Sequence, residues 1–169
     1  MDSNKKVITD KLLWFGKEFK LRYWDLDSFS GFPYEKCRQV YGVCFYKNKI
    51  VISRGGKLGK WSLIGGTIEK GETFEETLSR EVREESNMKV LKCLPIGTQE
   101  VTAPDGMIIY QLRYCASVEP IGVFEKDPAG SVIEIKLIDP KDYKKYFDWG
   151  KIGDRIMTRA LSLREGLKI

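Results

Sequence analysis

Glu81, Glu84 and Glu85 stand at positions i, i+3 and i+4 within Gly66–Met88, GTIEKGETFEETLSREVREESNM. An α-helix turns about 100° per residue, so these three carboxylates fall within an arc of roughly 100°. Phe74, Leu78 and Val82 form a neighbouring apolar stripe, the face expected to pack on a core. Carboxylates gathered at a core's edge repel one another and are costly unless a cation neutralises them. Metal binding is the chemistry that follows. The chain has no histidine, which excludes His-ligated zinc, Ser-His-Asp catalysis and a histidine general base. Oxygen ligands select hard cations such as Mg²⁺ or Mn²⁺.

The residues around the cluster support it. Gly65 and Gly66 let backbone approach a ligand closely, and a main-chain carbonyl there can join a metal's shell. Glu72 stands at the loop–helix junction. Arg80 lies four residues before Glu84 and four after Glu76, so it can pair on the helix surface or orient a carboxylate. The competing reading of a Glu- and Arg-rich helix face is plain solvation.

The helix that carries these groups is expected to begin near Thr73, which with Glu76 fits a capping box, and to stop at Asn87. Trp61–Ile64 reads as a short strand running into Gly65-Gly66. Before it come two strands, Arg38–Tyr46 and Ile50–Arg54, joined through Lys47-Asn48-Lys49. Gly55, Gly56 and Gly59, with Lys57 and Lys60, make a basic loop. Lys89–Thr102 holds strand material, Ala103-Pro104-Asp105-Gly106 is a turn, and Met107–Val118 continues as a strand. Residues 119–130 form a loop containing Glu125 and Asp127, Ser131–Ile138 is a last strand, and Ile152–Leu167 a C-terminal helix. The order predicts a mixed α/β domain with helices covering a sheet.

Residues 1–36 are read as an N-terminal extension packing on a core domain of residues 37–169. The extension is rich in aromatics from Trp14 to Tyr34. Leu12–Trp24 is expected to supply a strand or two, before an irregular connector around Gly31 and Pro33. Its aromatics are expected to cover the sheet or form a dimer contact, with stacking of one or two on a base as the sharper alternative.

With 169 residues the chain suits one domain with a sizeable core. The net charge of +5 is spread out and is no nucleic-acid signature by itself. No apolar run approaches a membrane span and no signal peptide is read. The four scattered cysteines, Cys37, Cys44, Cys93 and Cys115, read as free thiols in a reducing compartment, hence a cytoplasmic protein.

The whole stretch resembles the Nudix box, G-x5-E-x7-R-E-U-x-E-E-x-G-U, where U is aliphatic. Gly66, Glu72, Arg80, Glu81, Val82, Glu84 and Glu85 stand in register, and Met88 fills the last apolar place. Asn87 replaces the family's glycine; asparagine tolerates φ > 0 best among the alternatives. Ile64 replaces the proline often found before the two glycines. The resemblance implies an α/β/α sandwich that hydrolyses a nucleoside diphosphate linked to another moiety. By position it makes Glu81, Glu84 and Glu85 metal ligands, Gly65 a carbonyl ligand, and Arg80 and Glu72 orienting groups. Mg²⁺, with Mn²⁺ as a substitute, would offset pyrophosphate charge and acidify the attacking water. The general base is then a carboxylate: Glu84, Glu85 or a loop residue, for which Glu125 is the first candidate and Asp127 the next.

The substrate is less defined. Compact length resembles the MutT-like nucleoside triphosphate hydrolases, so the leading expectation is a nucleoside triphosphate, modified or not. Pro104, sixteen positions after Met88, resembles the spacing in ADP-ribose hydrolases, but its turn accounts for it structurally. An ADP-ribose or nucleotide-sugar hydrolase is the alternative, and a non-catalytic nucleotide or RNA-end binding module a third reading. Arg54, Lys57 and Lys60 are expected to meet a phosphate tail. The expected partner is a small nucleotide, with no membrane and no stable nucleic-acid partner, and a homodimer left open.

Overall fold

Strand segments dominate the chain because β-branched and aromatic residues alternate through it, and the computed structural model resolves them into one eight-stranded sheet. The structure describes residues 6–128 and 130–168. In chain order the strands are β1 (Ile8–Trp14), β2 (Lys17–Asp25), β3 (Cys37–Tyr46), β4 (Lys49–Gly55), β5 (Lys60–Thr67), β6 (Met88–Thr102), β7 (Ile108–Pro120) and β8 (Val132–Ile138). The helices are α1 (Phe74–Ser86) and α2 (Gly150–Leu163).

The strand order across the sheet is β1-β2-β6-β7-β3-β5-β4-β8. Every neighbouring pair is antiparallel except β3 and β7, which run parallel. That single seam makes the sheet mixed. One face packs on α1 through Val40, Cys44, Val51, Ile64, Leu112 and Tyr114, against Leu78 and Val82. The other packs on α2 through Val43, Phe45, Ile50, Leu63 and Ile96, against Ile152 and Ile156. The result is an α/β/α sandwich. Leu78 and Val82 are fully buried, each worth about 1.5–3 kcal/mol of apolar burial.

The β1–β2 hairpin turns at Phe15 and Gly16, both at positive φ, and β2 pairs with β6, so the first strands extend the same sheet. Beyond them Phe29 meets Tyr114 edge-on at 5.1 Å, Phe32 meets Tyr110 at 4.9 Å, and Tyr34 stacks on Phe74 at 5.4 Å. These aromatics cover the end of the sheet and the start of α1. Trp14 and Phe15 stay exposed.

Several element bounds shift from expectation, and the ends of β5 and α2 shift by three residues or more. The strand expected to end at Ile64 continues to Thr67, because Gly65 and Gly66 are laddered to Tyr41 and Val40 of β3. The C-terminal helix starts at Gly150 and gives way at Leu163 to a 3-10 turn, Arg164–Leu167. Gly166 is a weak helix former there, and the Arg164 side chain is drawn to the Lys47 carbonyl at 2.9 Å. All four cysteines are free thiols. No helix among the described residues is long and apolar enough to cross a membrane.

Candidate active site

The local sequence places α1 accurately. Thr73 caps it, accepting from the Glu76 N–H at 3.2 Å while the Glu76 carboxylate accepts from the Thr73 N–H at 2.7 Å. Asn87 ends it in the left-handed region at φ 52°. Its side chain donates to the Val123 carbonyl at 2.9 Å, tying the helix end to the loop after β7. Leu78 and Val82 pin the helix to the sheet, which puts Glu81 and Glu85 against the last residues of β5.

Arg80 organises the loop before the helix. Its Nε and Nη2 meet both oxygens of Glu72, at 2.6 and 3.1 Å, and Nη2 also donates to the Thr67 carbonyl at 2.8 Å. Glu72 further accepts from Thr77 Oγ1 at 2.7 Å and the Glu69 N–H at 3.1 Å. The Arg80 guanidinium beside Glu72 holds its carboxyl down to about 2. Arg80 Nη1 reaches Glu81 at 2.9 Å and Glu84 at 3.3 Å. One guanidinium thus spans Thr67, Glu72, Glu81 and Glu84.

Glu81 is buried under Gly66: a Cβ there would lie 2.4 Å from Glu81 Oε1. Burial raises the Glu81 pKa, with Arg80 pulling the other way. Glu85 accepts from the Gly65 N–H at 3.0 Å. Burial pushes its carboxyl up to about 8, the charges of Glu81 and Asp127 add to this, and hydrogen bonds from Gly65 and Ser53 oppose it. These groups line a cleft of about 390 Å³ with Gly65, Gly66, Thr67, Asp127 and Ser131 on its walls.

Among the described residues no group of three or more carboxylates or thiols already converges as a metal cage. Arg80 holds Glu81 and Glu84 toward itself. The donor chemistry fits a hard divalent cation: the oxygens are carboxylates, and desolvation disfavours the charged forms of the buried Glu81 and the half-buried Glu85 unless a cation offsets them.

The other sequence-based candidates lie elsewhere. Glu125 is exposed and does not line the cleft, whereas Asp127, two residues on, is buried there and accepts from Ser131 Oγ at 2.6 Å. Arg54 points to the α2 face, paired with Glu134 at 2.8 Å and lying over Trp61. Lys57 lies in the β4–β5 turn and Lys60 opens β5, five residues up the strand from Gly65, about 17 Å at strand rise. Ser53 was missed by sequence reasoning. It is the one polar residue in the buried run Ile50–Ser53, and that break in an apolar strand was the available signal.

A NUDIX domain model matches residues 37–160. The chain belongs to the NUDIX family. Among curated proteins the chain is similar to the nucleoside triphosphatase NudI of Salmonella heidelberg, 50% identical over 42 residues, covering 25% of this chain and 30% of that one. The Klebsiella pneumoniae NudI is 38% identical over 80 residues, 41% of this chain and 56% of that one. The chain therefore spans less than two thirds of the length of these curated relatives. Solved Nudix structures share the fold. The Bacillus subtilis pyrophosphohydrolase BsRppH superposes with a TM-score of 0.66 at 17% identity, over 94% of this chain and 99% of that one. A structure described as an ADP compounds hydrolase gives 0.57 at 18% identity, over 96% and 91%.

Proposed function

We propose that the chain hydrolyses a nucleoside diphosphate-linked substrate at this cleft, foremost a nucleoside triphosphate to monophosphate and pyrophosphate, with Mg²⁺ or in its place Mn²⁺. The observation that carries the reading is the pair of carboxylates, Glu81 buried and Glu85 half-buried, held under the Gly65-Gly66 backbone. The likeness to the two NudI nucleoside triphosphatases supports the substrate class.

Glu81, Glu84 and Glu85, with the Gly65 carbonyl, would hold the cation. Bound there, it supplies charge neutralisation for the pyrophosphate and lowers the pKa of water. The chain's own residues do the rest. Arg80, fixed by Glu72 and Thr67, holds Glu81 and Glu84 in place. Glu84 and Glu85 are the carboxylates placed to take the proton of an attacking water, and Asp127 is the loop carboxylate that shares their cleft. The bare Gly66 leaves the phosphates a close approach to the backbone.

The ADP compounds hydrolase, similar over nearly the full length of both chains, favours a second reading, hydrolysis of an ADP-linked compound. A nucleotide panel with MgCl₂, assayed for pyrophosphate, phosphate and monophosphate, separates the two. Pyrophosphate from a nucleoside triphosphate is expected. Turnover of ADP-ribose alone moves the assignment to the second reading, and turnover of nothing with either metal removes both and leaves a binding module. Glu85→Gln is expected to lower kcat by orders of magnitude with the fold retained.

A further inference from the structure

The sheet face opposite α1 carries a polar row that the reaction above does not use. Gln99 on β6, Gln111 on β7 and Gln39 on β3 are register partners on adjacent strands. Their amides are bonded in series: Gln99 Nε2 donates to Gln111 Oε1 at 3.2 Å, and Gln111 Nε2 donates to Gln39 Oε1 at 2.6 Å. All three are half-buried. The row runs on to Thr67, which pairs with Gln39 in register and lines the carboxylate cleft.

Two residues along β7 from Gln111, Arg113 is enclosed, with only 3% of its surface exposed. Its guanidinium lies 4.8 Å from the Tyr41 ring centre and 6.0 Å from that of Trp149. Nη2 donates to Gln111 Oε1 at 2.8 Å. Its Nε has no hydrogen-bond partner among the described residues. A buried cation held by neutral oxygens and aromatic faces is costly, so its presence asks for a role.

That role follows from polarity. Arginine has donors and no acceptor, so Gln111 must turn its carbonyl oxygen to Arg113. The Gln111 nitrogen then points away, and Gln39 must accept from it. Gln39 is left with Nε2, a donor unused within the row. Gln99 must donate to the same Gln111 oxygen and is left with Oε1, an acceptor. The oxygen and nitrogen of a glutamine amide are nearly isosteric, and here one arginine decides all three.

We propose that this row reads the nucleobase of the substrate, with the Gln39 donor and the Gln99 acceptor as its contacts and Arg113 as the positioning residue that sets their polarity. The inference rests on the nucleotide reading of the carboxylate cleft. From Gly65 on β5 to Arg113 on β7 is two strand spacings, about 10 Å, a separation that a nucleoside bridges between its phosphate and its base edge. Trp149, half-buried where α2 begins, adds an aromatic wall for a flat ring. A donor and an acceptor at fixed places separate bases by their edge patterns, since a mismatch leaves polar groups unpaired.

The test is direct binding of four nucleoside monophosphates, differing only in base, titrated calorimetrically without metal into folded protein. Wild type is expected to show at least a tenfold spread in Kd among the bases. Gln111→Glu is expected to reorder that ranking, because a carboxylate at 111 accepts from Gln39 and so turns the Gln39 oxygen outward. Arg113→Lys, which still offers only donors, is expected to keep the wild-type order, and Arg113→Gln to lose it. Equal affinity for all four bases in wild type, or an unchanged order in Gln111→Glu, overturns the proposal. Should the buried variants not fold, Gln39→Leu and Gln99→Leu replace them, and retention of the full spread in both overturns it equally. Turnover of an abasic deoxyribose triphosphate reads the carboxylate cleft separately. Cleavage of that compound with no base discrimination keeps the proposed function and removes this inference, whereas cleavage of neither it nor any nucleoside triphosphate removes the proposed function.

Discussion

Glu72 and Arg80 form a two-point ion pair, Oε1 to Nε and Oε2 to Nη2, that closes the loop from Thr67 onto the first half of α1. Because the Glu72 carboxyl is held at about 2, below its ordinary 4.5, it binds fewer protons folded than unfolded across that interval. Its stabilisation is complete above about 4.5 and is lost as pH falls toward 2. Thermal melts from pH 7 to pH 2.5 are expected to show wild type losing more Tm over the acid range than Glu72→Gln. Parallel curves for the two proteins would remove the pair's role.

Gly66 gives Glu81 its place. Alanine there brings Cβ to 2.4 Å from Glu81 Oε1, and the carboxylate, being the end of a flexible side chain, moves before the backbone does. Gly66→Ala is expected to melt close to wild type while needing at least tenfold more Mg²⁺ for half-maximal turnover. An unchanged Mg²⁺ curve would separate Glu81 from the metal.

Asn87 stands where the Nudix pattern has glycine, and the structure shows what the departure adds. The residue takes the left-handed φ of 52° and also donates to Val123 O. Asn87→Ala keeps neither advantage and is expected to cost about 1–2 kcal/mol. Asn87→Gly relieves the backbone but drops the bond, so its stability in urea is expected between the other two. Alanine matching wild type would show that the bond and the turn are both dispensable.

Leu78 fills the space between α1 and the sheet, with Gly42 directly beneath: a Cβ on Gly42 would meet Leu78 Cδ1 at 2.9 Å. Leu78→Ala is expected to lower the unfolding free energy by about 2–5 kcal/mol. Gly42→Ala, which overfills the same contact, is expected to cost about 1–3 kcal/mol. Urea denaturation of each single variant measures both.

What was readable in the sequence was local. Thr73 with Glu76, the stripe of Leu78 and Val82, and Asn87 describe α1 within a few residues, so Arg80, Glu81, Glu84 and Glu85 could be placed together, though Thr77, which donates to Glu72, was not singled out. The groups brought in from a distance were harder to place. Glu125 and Asp127 are equally acidic and two residues apart, and it is Asp127 that the Ser131 hydroxyl and the Ser131 and Val132 N–H groups hold in the cleft. Arg54 is basic and near the glycine loop, yet Glu134, eighty positions away, holds it on the other face. The glutamine row had no local signature, because Gln39 and Gln111 meet only through the pairing of β3 with β7.

That parallel seam also bears on how the molecule assembles. Parallel partners cannot be joined by a tight turn, and Gln39 and Gln111 are 72 positions apart. Closing so long a loop has an entropic cost that its contacts offset only after they form, and such non-local pairings slow folding. The α1 carboxylates and their Arg80 clasp lie within twenty residues and can form early. The surface that crosses the seam must wait for that long closure, so a chain caught before it would carry the Arg80 clasp without the glutamine row.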